Sequence, residues 1–235
     1  ERIIEASRRE GVQGVVIWQI GGQEFSDAAY YGEPRILPHV APEMDAAADD
    51  FFEKLRNAGL RVGITIRPTI HFPRDAETNK IVDWDEMTQL WGRNYVDEIP
   101  ENCKDIYDER ERWCVLTRLS NKIEYAKERW GATLFYVDTN SIWRPRTPEE
   151  EDQGWDSKKL PASLLKKLTE NHPDVLVIPE HQYLEYWAHT AQYVQPPGWG
   201  RPTGPDVRRA YPEAFSVIAG NHHHGRPERY IRAVL

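Results

Sequence analysis

Leu134-Phe135-Tyr136-Val137-Asp138-Thr139-Asn140-Ser141 is an apolar run that stops at a carboxylate and turns polar at once. It follows a helix-patterned segment and Trp130-Gly131, so it reads as a buried strand entered through a tight helix-to-strand turn. An acid on the last residue of such a strand lies at the carboxyl edge of the sheet. Open and barrel α/β folds place their chemistry there. Aspartate also caps turns, so Asp138 taken alone leaves both roles open.

The same grammar occurs four times: a helix, a glycine or His-Pro stop, then a short apolar strand. The helix and strand spans are 1–10 and 14–20, 46–58 and 61–66, 117–130 and 133–137, and 161–171 and 175–178. Leu119, Ile123, Ala126 and Trp130 recur at helical spacing and share one face. Phe51, Phe52, Leu55 and Ala58 do the same, with Asp45 as the expected N-cap and Gly59 as a left-handed C-cap. Pro161 suits a first helical turn. The strands are unbroken apolar runs without alternation, as expected of parallel strands buried on both faces. Two weaker strands are expected at 192–194 and 214–218.

Loop lengths are asymmetric. Helix-to-strand turns are short, whereas about 25 residues follow Ile20, about 50 follow Ile66 and more than 20 follow Val137. Long connections leaving one edge of a parallel sheet are the barrel pattern. The expectation is an α/β (β/α)8 TIM barrel, one catalytic-type domain over 1–235, with a long inserted loop at about 67–116. With six strands visible, a further strand is expected beyond each end of this sequence. An open doubly wound sheet is the alternative. To bind a nucleotide it would need a glycine-rich phosphate turn, and neither GxGxxG nor GxxxxGK[ST] occurs.

The strand ends carry the candidate chemistry. The first leads through Trp18 and Gln19 to Glu24, the second to Arg67 with His71 close by, and the third to Asp138 with Asn140 and Trp143. The fourth ends at Glu180, His181 and Tyr183, and the sixth at Asn221 and His222. Asp138 and Glu180 at the ends of successive strands supply the two carboxylates of a glycosidase, one as nucleophile and one as general acid/base. The other residues are candidates for substrate binding. Aromatic faces beside polar groups stack well on sugar rings, and Trp18, Trp143, Trp155, Tyr183, Tyr186, Trp187 and Trp199 fall near strand ends or in the adjoining loops. Arg67 can hold the nucleophile ionised or form a structural salt bridge.

A net charge of −8 argues against nucleic-acid or anionic-membrane partners, and no apolar stretch approaches the ~20 residues of a membrane span. Two cysteines, Cys103 and Cys114, fix no disulfide framework. His222-His223-His224 is a poor metal site, because adjacent side chains point apart; no metal or cofactor is expected.

Phe-Tyr-Val-Asp138, Ile-Pro-Glu180 and the long loop before them resemble the retaining α-glycoside hydrolase barrels. These include the α-amylase family and the α-glucosidase, α-galactosidase and endo-α-N-acetylgalactosaminidase barrels. The pattern is nearest to uncharacterised barrels grouped with glycoside hydrolases by analogy. The resemblance implies Asp138 as nucleophile at a fourth strand end, Glu180 as acid/base at a fifth, and Asn221-His222 after a seventh. His223 stands where amylases carry an aspartate, and Tyr136 where they carry an arginine, so an ordinary amylase is excluded. The implied activity is hydrolysis of an oligo- or polysaccharide, and a secreted or periplasmic location suits it. The alternatives are a non-catalytic carbohydrate-binding or structural barrel and, third, a metal-dependent hydrolase using His71 and His222–His224.

Overall fold

Three of the four helix-to-strand turns run through a glycine in the left-handed region, with φ of 68° at Gly11, 84° at Gly59 and 64° at Gly131. Glycine alone adopts that conformation without crowding a Cβ, so each helix stops and the chain reverses within a few residues. The computed structural model describes residues 1–18, 20, 32–68, 115–138, 141–143, 157–180, 183–190, 193–194 and 204–216. In chain order these form α1 (Arg2–Arg9), β1 (Gly14–Ile17), a 3-10 turn (Pro34–Ile36) running into α2 (Leu37–Val40), α3 (Pro42–Asn57) and β2 (Arg61–Ile66). Next come α4 (Val115–Trp130), β3 (Leu134–Val137), the paired strands β4 (Ser141–Trp143) and β5 (Ser157–Lys159), and α5 (Ala162–Asn171). The order closes with β6 (Leu176–Pro179), a second 3-10 turn (Leu184–Tyr186), β7 (Tyr193–Val194), α6 (Gly204–Ala210) and β8 (Phe215–Ser216).

β1, β2, β3 and β6 form one parallel sheet in that order, so strands that follow one another through a helix are neighbours in space. Alternate residues divide between two cores, as the pleat requires. Val15, Ile17, Val62, Ile64, Ile66, Phe135, Val137 and Val177 pack with Phe52 and Leu55 of α3, Leu119, Ile123, Ala126 and Trp130 of α4, and Leu164, Leu165 and Leu168 of α5. The three helices therefore cover the same face. On the other face, Val16, Trp18, Tyr136, Leu176 and Ile178 pack against Tyr193 and Phe215. Those two residues belong to β7 and β8, a separate parallel pair. This is an α/β fold in which, among the described residues, α3, α4 and α5 all pack on one face of the sheet, unlike a doubly wound sheet with helices on both faces. Pairing into a ring of eight strands is not found among the described residues.

Several expected boundaries shift for identifiable reasons. β1 ends at Ile17 because the chain turns at Trp18, whose ring lies on Tyr136. α3 starts at Pro42, not at Ala46, with Ala41 rather than Asp45 at the N-cap. A proline needs no N–H in the first turn and begins the helix earlier. Asp45 is instead drawn sideways by Arg129 of α4 at 2.5 Å. Pro161 stands just before α5 as its N-cap residue rather than inside the first turn. The β4–β5 antiparallel pair, absent from the sequence reading, occupies part of the long connection after β3. Among the described residues no helix is long and apolar enough to cross a membrane.

Candidate active site at the carboxyl edge of the sheet

The sheet register decides which side chains meet at this edge. Ile66 pairs with Val137, and Val137 with Pro179. The ladder continues one residue further, through Asp138 N–H to Ile66 O at 2.9 Å and Glu180 N–H to Val137 O at 3.0 Å. Arg67, Asp138 and Glu180 are thus level on three successive strands, each about 4.8 Å from the next. Alternation along β3 and β6 sets Asp138 and Glu180 on the Tyr136 and Ile178 side, away from the helices. Both are buried, Asp138 at 4% exposure and Glu180 at 8%. The Arg67 guanidinium lies across the first of them, with Nε donating to Asp138 Oδ2 at 2.6 Å. A charged donor at that distance makes a short charge-assisted hydrogen bond and fixes the orientation of the carboxyl group.

The exit of β2 is held unusually firmly. Arg67 N–H donates to Gly32 O at 3.2 Å, Lys122 Nζ to Arg67 O at 2.7 Å, and Arg118 Nη1 to Pro68 O at 3.3 Å. Gly32 has φ of 57°, and a Cβ there would come within 2.6 Å of Arg67 N, so the approach depends on glycine. Glu33, the next residue, takes Arg35 through two oxygens at 2.8 and 2.9 Å and stands 3.5 Å from Lys122 Nζ. Burial pushes the Glu33 carboxyl up, but the Lys122 charge and the Arg35 hydrogen bonds outweigh it and leave the group below its usual range. Burial lowers the Lys122 ammonium to about 8, with Glu33 opposing the shift and Arg118 and Arg35 adding to it.

Glu33, Arg35, Arg118 and Lys122 were absent from the sequence-based candidates. A signal existed for two of them. Lys122 is three residues after Leu119 and four before Ala126, and Arg118 is four before Lys122, so both fall beside the buried stripe of α4. A cation at such a position needs a buried partner, and Glu33 meets that need for Lys122. Nothing in the sequence pointed to Glu33 itself.

Several of the expected sugar platforms make contacts within the fold. Trp18 is half-buried, with its ring centre 5.2 Å from that of Tyr136. Tyr186 is wholly buried and donates to Leu160 O at 2.6 Å, which makes it a core residue. Trp187 packs edge-on against Tyr211 at 4.9 Å. Tyr183 is exposed, but its ring carries the Lys159 ammonium at 3.9 Å and meets Tyr186 edge-on. The backbone of Trp143 lies in β4. Gln19, Glu24, His71, Asn140, His181, Asn221 and His222 lie outside the described residues, as do His223, His224, Trp155, Trp199, Cys103 and Cys114. Among the described residues no group of three or more His, Cys, Asp or Glu is arranged to hold a metal ion.

No family model matches the chain, and no curated protein matches its sequence. Among solved structures, α-L-fucosidase isoenzyme 1 from Paenibacillus thiaminolyticus is similar at a TM-score of 0.34 and 14% identity, over 75% of this chain and 36% of that one. The α-galactosidase from Lactobacillus brevis is similar at 0.41 and 12%, over 99% of this chain and 37% of its own. The chain spans little more than a third of either. Likeness at this level reaches no further than a general chain trace.

Proposed function

We propose that this chain is a glycoside hydrolase acting on an oligo- or polysaccharide, with Asp138 as nucleophile and Glu180 as general acid/base. The observation that carries the reading is the juxtaposition of the two acids, level on adjacent parallel strands and on one face of the sheet. Backbones about 4.8 Å apart allow the ~5–5.5 Å carboxyl separation of a retaining enzyme. In the first step Asp138 bonds to the anomeric carbon as the glycosidic C–O bond breaks, and Glu180 gives its proton to the leaving oxygen. In the second, the Glu180 carboxylate takes a proton from water, whose oxygen displaces Asp138 and releases the sugar. The Arg67 guanidinium, 2.6 Å from Asp138 Oδ2, aims that carboxyl before attack. The sheet is then an arc of a (β/α)8 barrel, a reading supported by chain-ordered parallel strands and by α3, α4 and α5 sharing one face among the described residues.

The test is a panel of aryl glycosides with Asp138→Asn and Glu180→Gln. Each substitution is expected to lower kcat by about 10²–10⁴-fold while the fold is kept. The first-formed product should retain its anomeric configuration by NMR, and turnover near wild type in either variant removes that residue from the mechanism. A carbohydrate-binding protein without turnover is favoured by one observation: Asp138 is buried and already committed to Arg67. Sugar binding that survives Asp138→Asn, with no product released, would select it.

A further inference from the structure

We infer that Lys122, held by Glu33, is a positioning residue that fixes the backbone of Arg67 and so aims the Arg67 guanidinium at Asp138. This rests on the proposed role of Asp138 for its catalytic meaning, though not for its geometry. Asp138 N–H to Ile66 O is the last ladder contact between β2 and β3, so Arg67 lies where sheet pairing gives out. Three other groups take over there. Gly32 O receives the Arg67 N–H, Lys122 Nζ donates to the Arg67 carbonyl, and Arg118 donates to the carbonyl of Pro68. A backbone held on both sides of its Cα fixes the direction in which the side chain sets out, the point from which its torsions start. Arg67 uses its own to place Nε 2.6 Å from Asp138 Oδ2.

The chemistry of the pair supports positioning over simple stabilisation. Lys122 is 1% exposed, so it contacts no solvent-borne substrate itself. Burying an ammonium and a carboxylate together is commonly no better for stability than an apolar pair of the same size. What the ion pair adds is a directional donor whose place is set from two sides. Glu33 sets Lys122 from the segment after β1, and Lys122 sets Arg67 from α4. The charged groups around Lys122 are Glu33 and Arg35 from the segment before α2, and Arg118 from its own helix.

The Arg67 Nε–H resonance, assigned by its loss in Arg67→Lys, reads this geometry without any substrate. In Lys122→Met that keeps its circular dichroism spectrum and cooperative melting, exchange of that proton should accelerate about tenfold or more, as the hydrogen bond to Asp138 becomes intermittent. Exchange at the wild-type rate in the folded variant overturns the inference. Where Lys122→Met does not fold, Glu33→Gln takes its place with the same expectation and the same overturning result. With a glycoside that is cleaved, Lys122→Met should lower kcat by up to about 10²-fold with KM nearly unchanged. A variant that melts earlier but keeps kcat per folded molecule shows a structural role only and overturns it. If no glycoside is cleaved, or Asp138→Asn leaves cleavage intact, the functional reading fails, and the exchange measurement still decides the role of Lys122.

Discussion

At the scale of single residues, the pairing of Arg67 with Asp138 is where stability and chemistry meet. Their side chains are 12% and 6% exposed, so each would be left in a poorly hydrated place without the other. Removing one partner of such a pair costs about 3–5 kcal/mol, largely the penalty on the charge left behind. Arg67→Met is therefore expected to destabilise by roughly 3 kcal/mol in urea unfolding. Arg67→Met combined with Asp138→Asn should cost less than the sum of the two, by at least about 1 kcal/mol. Strict additivity in that cycle would mean that the two groups do not interact. Asp138 and Glu180 were legible in the sequence because a carboxylate ending an unbroken apolar run is a strong local mark. Arg67 was legible as a strand-end cation with two candidate roles, a partner to Asp138 or a salt bridge elsewhere in the fold, and the structure gives it Asp138. The two residues are 71 apart in the chain, so choosing between those roles requires the register that sets Ile66 beside Val137. Glu33 had no local mark at all, since its burial is imposed by the return of the chain onto the end of β2.

At the scale of elements, α3 and α4 are joined by apolar packing finished with a charged clasp. Phe52 stacks on Trp130 at 4.8 Å, and both are fully buried. Over them Arg129 reaches Asp45 at 2.5 Å, Asp49 at 2.7 Å and the Tyr125 hydroxyl at 2.8 Å, with its guanidinium 5.2 Å from the Trp130 ring. A planar fork serving several acceptors at once exceeds the usual worth of a surface ion pair. Arg129→Ala should lower stability by about 1–2 kcal/mol, and Arg129→Lys should recover less than half, because an ammonium cannot reproduce the fork. Full recovery by lysine in thermal melts would reduce the clasp to simple charge attraction. The apolar side of this junction was readable from helical spacing, and Leu119, Ile123, Ala126 and Trp130 are all fully buried. The polar side was misread. Asp45 looks like an N-cap in the sequence because the local pattern permits one, whereas its partner lies on a helix more than 80 residues away.

At the scale of the whole molecule, the sequence carried the parallel strands and the helical face well, because each depends on short apolar runs and glycine stops. It also marked the two weak strands at 192–194 and 214–218 that contain β7 and β8, but not their place on the second face, which rests on Tyr193 and Phe215 packing with Tyr136 and Ile178. Tyr193 also donates to Pro179 O at 2.5 Å and Glu180 O at 3.0 Å, tying that second face to the candidate site. Buried ionisable groups then set how the fold answers to pH. Glu33 lies below its ordinary range and His172 is lowered by burial, so each contributes stability present above its unfolded pKa and lost as pH falls through its folded one. Lys122 adds a slope of the same sign in alkali. Between about 8 and the ordinary lysine value of 10.5 the unfolded chain binds a proton that the folded chain has released, so stability from this group rises with pH across that window. The urea midpoint should accordingly climb from pH 4 to 7. The difference in unfolding free energy between wild type and Lys122→Met should then grow in favour of wild type from pH 8 to 10.5, because the variant has no such proton to exchange. A difference that stays flat over that range would mean that Lys122 keeps its proton in the fold, with Glu33 compensating fully for its burial.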